Sequence, residues 1–302
     1  MTPRKSVSLV LGSGGARGYA HIGVIRWLLQ NGYEIRSIAG CSMGALVGGI
    51  YAAGKLDEYT EWSIALGKFE IFRLLDPAFG AGGLLKGERI INTLRELLGD
   101  CQIEELPLKF TAVATDIDSQ EEVWIEHGSL FDAIRASIAI PTVFTPFTHD
   151  GRRLLDGGLV NPLPVEPVLQ DDTDLTIAVS LSGRPEPPRV AAEDPPPEDT
   201  SETLSKRERV REFLNEMQER FKRDKPGNEK DSPFDLVSSS IETMQNTIAA
   251  LKLETTPPDV MISVPRNIAM FYEFHRAAEL TSLGHRLAAE TLGSGKGAPA
   301  TS

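Results

Sequence analysis

The stretch that decides the reading is Gly40-Cys41-Ser42-Met43-Gly44, a G-x-S-x-G pattern. It follows the apolar run Ser37-Ile38-Ala39 and precedes the small-residue segment Ala45-Leu46-Val47-Gly48-Gly49-Ile50-Tyr51-Ala52-Ala53. The first run reads as the end of a strand, the second as a buried helix. A serine in a sharp strand-to-helix turn is a nucleophile elbow. Gly40 and Gly44 keep strand and helix from colliding with it. Its hydroxyl is held out of the fold at a helix N-terminus, where negative charge is favoured.

Working outward, Val7 to Leu11 reads as a buried strand, followed by the loop Gly12-Ser13-Gly14-Gly15-Ala16-Arg17-Gly18 and a helix over His21 to Asn31. Small residues in such a loop expose successive amides and form an anion nest. The competing reading is a dinucleotide fingerprint, which needs an acid at the end of the second strand. That strand ends at Gly40-Cys41-Ser42, and Glu34 is misplaced for the role. An oxyanion hole fits better, because the loop and the Ser42 turn leave the same end of neighbouring strands.

Helices follow through Leu66. Phe79 to Gly87 is a glycine-rich apolar loop, expected to be mobile near a substrate mouth. The pattern then predicts a helix over Gly87 to Leu98, strands over Phe110 to Asp116 and Glu122 to Ile125, and a helix over Phe131 to Ile138. Ala136 through Pro146 reads as a helix end and an extended wall. A short strand over Arg152 to Leu155 ends in Asp156-Gly157-Gly158, and Leu175 to Leu181 is another buried strand. A lone D-G-G is commonly a turn, but Asp156 ends a strand, where α/β sheets put functional groups. Strands interleaved with helices predict a mostly parallel sheet covered on both faces.

Residues 1–183 read as the core and 184–232 as a proline- and charge-rich insert with an amphipathic helix over Ser201 to Asp224. That helix is weighed as a lipid-docking or lid element against a solvated helix packed by one stripe. Residues 233–292 complete the same domain with a helix over Phe234 to Leu253, a strand over Val260 to Val264 and a helix over Phe271 to Leu292. Residues 293–302 form a tail.

Composition narrows the function. With 31 Lys and Arg against 43 Asp and Glu the net charge is −12, which argues against nucleic acid as a partner. Cys41 and Cys101 make no disulfide framework. The basic start before Ser6 to Leu11 is too short and too polar for a signal peptide, and no run approaches the ~18 apolar residues of a spanning helix. A cytoplasmic protein, peripheral to a membrane at most, is expected.

The ordered set Gly14-Gly15-Ala16-Arg17-Gly18, Gly40-Cys41-Ser42-Met43-Gly44, Ala136 through Pro146 and Asp156-Gly157-Gly158 resembles the bacterial branch of the patatin-like phospholipases, over roughly Val7 to Leu181. It continues more loosely through Met244-Gln245-Asn246, Pro257-Pro258-Asp259-Val260 and Phe274-His275-Arg276. The family's loop usually reads G-G-G-x-[KR]-G or G-x-G-x-x-G, and Ser13 replaces a glycine of the first form. The resemblance implies a three-layer α/β/α fold and a Ser-Asp dyad, with Ser42 as nucleophile and Asp156 as base. The amides of Gly14, Gly15 and Ala16 would form the oxyanion hole, with Gly12, Arg17, Gly18, Gly40, Gly44, Gly157 and Gly158 as supports. It implies a lipid-ester substrate and no metal or organic cofactor.

Alternatives stay open. A Ser-His-Asp triad would draw on His275 or His285, which follow the acid in sequence. A transacylase would use an alcohol in place of water, and an idle lipid-binding scaffold would use neither. Arg17 is expected to pin the loop by an ion pair rather than to meet a phosphate headgroup. Cys41 is expected to point inward, and Asp116 and Asp118 to be structural.

Overall fold

The computed structural model describes residues 5–74, 76, 85–187 and 233–293. The strands are β1 (Ser6–Leu11), β2 (Glu34–Cys41), β3 (Lys109–Asp116), β4 (Glu121–Ile125), β5 (Phe147–His149), β6 (Arg152–Asp156), β7 (Leu175–Gly183) and β8 (Val260–Pro265). They join in one sheet of order β5-β6-β3-β2-β1-β7-β8, with β4 also on β3. The pairs β1–β2, β2–β3, β1–β7 and β7–β8 are parallel; β3–β4, β3–β6 and β5–β6 are antiparallel. The helices are α1 (Tyr19–Gln30), α2 (Met43–Ala52), α3 (Leu56–Ala65), α4 (Lys68–Arg73), α5 (Glu88–Leu98), α6 (Leu130–Ser137), α7 (Pro233–Thr255) and α8 (Ala277–Leu292). This is an α/β fold with a mostly parallel central sheet flanked by helices.

The two faces of the sheet follow from strand alternation. Leu9, Leu11, Ile38, Ile177 and Val179 join the main core with α1, α2 and α8. The intervening Val10, Ala39 and Ala178 pack on Leu163, Val165 and Val168, with Leu253 of α7 against them. The helices α1 and α8 meet at two glycines. A Cβ on Gly23 would lie 1.9 Å from the Thr281 carbonyl oxygen, and one on Gly284 would lie 1.9 Å from that of Ala20.

The chain resolves into two compact units, Met1–Glu186 with Thr243–Ser302, and Pro187–Glu242. The expected helix over Ser201 to Asp224 lies outside the described residues, as does the expected mobile loop except for its last residues, Leu85 to Gly87. Leu85 is paired with the wall: its amide donates to Val143 and its carbonyl accepts from Thr145.

Two expectations are corrected. The last helix starts at Ala277 rather than Phe271. Phe271 instead turns its carbonyl to the Ala16 amide, 2.8 Å away, a bond that a continuing helix would forbid. The three-residue strand β5 was not anticipated; it is too short to show a period.

Candidate active site

The register of β3 brings the site together. Its Val113 lies opposite Cys41 of β2, and its next residue, Ala114, lies opposite Asp156 of β6. Because β4 occupies the other edge of β3 over Ala112 to Asp116, β2 and β6 must share one edge. β2 leaves the sheet at the Ser42 turn and β6 takes its place. Successive residues along β3 are about 3.3 Å apart, so Asp156 is delivered to the elbow by strand pairing alone.

Ser42 has φ 56° and ψ −122° and caps α2 without using its side chain for the cap. A positive φ on a non-glycine residue is strained and must be held by its surroundings. Here the Ser42 amide donates to Ser137 Oγ at 2.9 Å, and that hydroxyl donates to the Val113 carbonyl at 2.6 Å. Gly40 and Gly44 are sterically fixed. A Cβ on Gly40 would stand 2.5 Å from the Gly44 carbonyl oxygen, and one on Gly44 would stand 1.9 Å from that of Leu11.

Asp156 is 2 % exposed and Ser42 is 1 % exposed. Oδ1 of Asp156 accepts from the Gly158 amide at 2.7 Å and faces the Cys41 thiol at 3.7 Å. Burial raises its pKa to about 6, against the lowering effect of Ser42, the Gly158 amide and Cys41. Oδ2 makes no hydrogen bond of good geometry among the described residues. The serine is thus near enough to bear on the carboxylate without a formed bond to Oδ2. Gly157 is also fixed, since its Cβ would lie 2.2 Å from the Val113 carbonyl oxygen. The Cys41 thiol points inward, its pKa pushed up by burial and then by Asp156.

The loop after β1 is tied to distant chain. The Gly12 amide donates to Val179 and that of Ser13 to Pro162. His21 of α1 bonds the Gly12 carbonyl at 2.9 Å, and burial lowers its pKa to about 4, so it is neutral at pH 7. Arg17 is buried and its guanidinium donates to the carbonyls of Gly14 and Arg266. It therefore pins the loop through backbone acceptors. Gly15, at φ 57°, has Phe271 against it, and a Cβ there would lie 2.5 Å from the Phe271 carbonyl oxygen. Gly18 gives way to Met43 of the elbow: its Cβ would lie 2.4 Å from that of Met43. Of the three expected oxyanion donors, Ala16 has its amide committed to Phe271. The amides of Gly14 and Gly15 have no acceptor among the described residues.

The histidines weighed for a triad lie elsewhere. His285 bonds Gln30, the last residue of α1. That helix starts at the Gly12–Gly18 loop, and its 12 residues carry the contact about 18 Å away. His275 is exposed in a turn, its pKa lowered by partial burial and by Lys68. Asp116, the last residue of β3, accepts from the amides of Asp118 and Ser119 in the turn that follows, and Asp118 pairs with Arg153. Glu34 opens β2, at the end away from Ser42.

Sequence reasoning missed Ser137 and Arg135. Arg135 is buried between Phe144 and Phe147, its carbon Cζ 5.7 and 5.5 Å from their ring centres, and donates to the carbonyls of Lys86 and Thr145. It fastens the wall to α6, which carries Ser137. Neither residue type announces such a role by spacing.

A family model described as patatin-like phospholipase matches residues 9–169. Two NTE family proteins, Rv1063c of Mycobacterium tuberculosis (strain H37Rv) and Mb1092c of Mycobacterium bovis, are each 41% identical to this chain, covering 95% of it and 91% of their own length. The neuropathy target esterase sws of Drosophila melanogaster is 32% identical over 192 residues, 57% of this chain and 13% of that protein. A strained serine lies beside a buried carboxylate on a mostly parallel sheet. The chain belongs to the patatin-like phospholipase family, whose members are hydrolases of ester bonds. Among the described residues, no helix is long and apolar enough to cross a membrane.

Proposed function

We propose that the protein hydrolyses carboxyl esters of lipids through an acyl-Ser42 intermediate, with Asp156 as the base. The observation that carries this reading is the pairing of Ser42, in its strained turn, with a fully buried carboxylate whose pKa is about 6. An ordinary aspartate, at ~3.9, is a weak base for a hydroxyl; burial makes this one stronger.

As Ser42 Oγ attacks the ester carbonyl, its proton passes to Asp156. The oxyanion is held by the Gly14 and Gly15 amides, each such donor being typically worth ~3 kcal/mol. Collapse expels the alkoxide, which takes the proton from Asp156 and leaves as the alcohol. Water then attacks the acyl-enzyme, giving its proton to Asp156, and the second collapse returns that proton to Ser42. A transacylase would share the first half and differ only in the acceptor. The exposed Met270 and Tyr272 flank Phe271, the residue on the oxyanion loop, and they supply an apolar rim for a lipid surface.

A panel of lipid esters assayed with wild type and Ser42→Ala, alongside labelling by a fluorophosphonate probe, tests the reading. Wild type is expected to label and to release fatty acid. The variant should do neither, with turnover down at least about a thousandfold. Undiminished hydrolysis by Ser42→Ala, or a folded wild type inert to both probe and esters, overturns it.

A further inference from the structure

The turn that caps the Gly12–Gly18 loop is braced from within and bare on its outside. The Phe271 carbonyl is spent on the Ala16 amide. Glu273 accepts from the Met270 amide at 2.9 Å. Arg276 donates to the Ile268 carbonyl at 2.8 Å and pairs with Glu273 and Glu279. Phe274 packs edge-on against Tyr19 of α1, with ring centres 6.1 Å apart. Met270 and Tyr272 are thus held out by a fixed turn, at 61% and 56% exposed.

The helices α3 and α4 pack on the same turn, over residues 274–276. They add Ile64, from the last turn of α3, and Phe69 of α4, which are 50% and 48% exposed. Scattered apolar residues on a surface need no explanation, but four large ones on adjoining segments do. Charge narrows what covers them. Lys68 and Arg73 make no ion pair among the described residues, and the Arg73 guanidinium lies over the Phe69 ring, 5.9 Å from its centre. Lys68 is also close to the turn: after partial burial, it is the next cause of the lowered His275 pKa. Two cations against Glu70 leave α4 with one positive charge, in a chain whose net charge is −12. Large apolar side chains edged by long cationic ones suit the boundary of an anionic lipid layer, where the first enter the acyl region and the second stay at the headgroups.

We infer that Ile64, Phe69, Met270 and Tyr272 form a docking face for an anionic lipid surface, with Lys68 and Arg73 at its headgroups. The purpose of the face rests on the proposed hydrolysis: docking there brings the turn that caps the Gly12–Gly18 loop to the layer that holds the ester.

The test is flotation of the full-length Ser42→Ala protein with vesicles of phosphatidylcholine alone and of phosphatidylcholine mixed with phosphatidylglycerol. Binding is expected on the mixed vesicles and should weaken as salt is raised. Adding Phe69→Ser or Tyr272→Ser should weaken it about ten-fold each, the worth of one large apolar side chain. Adding Lys68→Gln should weaken it about five-fold, the worth of one cation near an anionic surface. All three should unfold at the parent's temperature, as surface changes do. No binding by the parent overturns the docking face. So does binding that none of these substitutions weakens, or their conversion of an oligomer into monomers, which would make the face a protein interface. Flotation needs no turnover, so its failure leaves the hydrolase reading standing. A wild type inert to esters and to the fluorophosphonate sinks that reading without touching the binding result.

Discussion

The elbow and the oxyanion loop are both built on glycine, yet they are held in different ways. At the elbow the constraints come from neighbouring backbone. Gly40 is closed in by Gly44 and Ala45, and Gly44 by β1. At the loop the constraints arrive from far along the chain: Leu181 of β7 lies against Gly14, Phe271 against Gly15, and Arg266 accepts from Arg17. Apart from the Ser137 hydroxyl on its amide, the geometry of Ser42 is thus set by the first strands and helix, while the Gly14–Arg17 loop is shaped by the second half of the chain.

The comparison can be broken most forcefully by Gly44→Ala. Its methyl would need backbone to move from 1.9 Å, and a loss of about 3 kcal/mol or more is expected by denaturant titration. Gly15→Ala strains φ and presses on Phe271, and should cost less, about 1–3 kcal/mol. Equal costs would show the two turns to be equally rigid.

Asp156→Asn should act in the opposite direction on stability while abolishing turnover. The folded carboxyl titrates near 6 rather than its usual 3.8, so the native state holds this proton more tightly than the unfolded chain. The stabilisation from that proton is full below pH 4 and is lost as pH rises through 6. The variant should therefore match wild type near pH 4 and exceed it by up to about 3 kcal/mol at pH 8. In the wild type, kcat/KM should fall tenfold per pH unit below about 6. A Tm difference between the two proteins that does not grow with pH would contradict the buried carboxylate.

An effect of the same size as that of Gly15→Ala is expected of Ser137→Ala, which leaves the buried Ser42 amide and the Val113 carbonyl without their bridging hydroxyl. A loss of about 1–3 kcal/mol, with a greater proportional loss of kcat, would show that Ser137 holds the strained turn. Stability lost with kcat intact would reduce it to a packing residue.

The parts that were legible in sequence are those whose cause is local. The Ser42 turn declares itself through two glycines and a flanking strand and helix. Asp156 declares itself by ending a strand before paired glycines, and the strands by their apolar runs. What was not legible depends on pairing across long separations. Nothing near Ala16 shows that Phe271 will take its amide, and nothing near Arg17 shows that Arg266 lies 249 positions ahead to receive it. The same tertiary bond delays the last helix to Ala277. Ser137 and Arg135 sit inside an ordinary amphipathic helix, where their contacts with β3 and with the Lys86 and Thr145 carbonyls leave no trace in spacing.

The glycine crossing of α1 and α8 has a consequence for how the molecule can change. Where two helix backbones touch, neither can slide, roll or accept a side chain between them, so the crossing works as a rivet rather than a cushion. One riveted helix begins at the oxyanion loop, and the other follows directly on the Phe271 turn that caps it. A side chain at residue 23 or 284 would part the two helices and so disturb the Gly12–Gly18 loop and the Phe271 turn together.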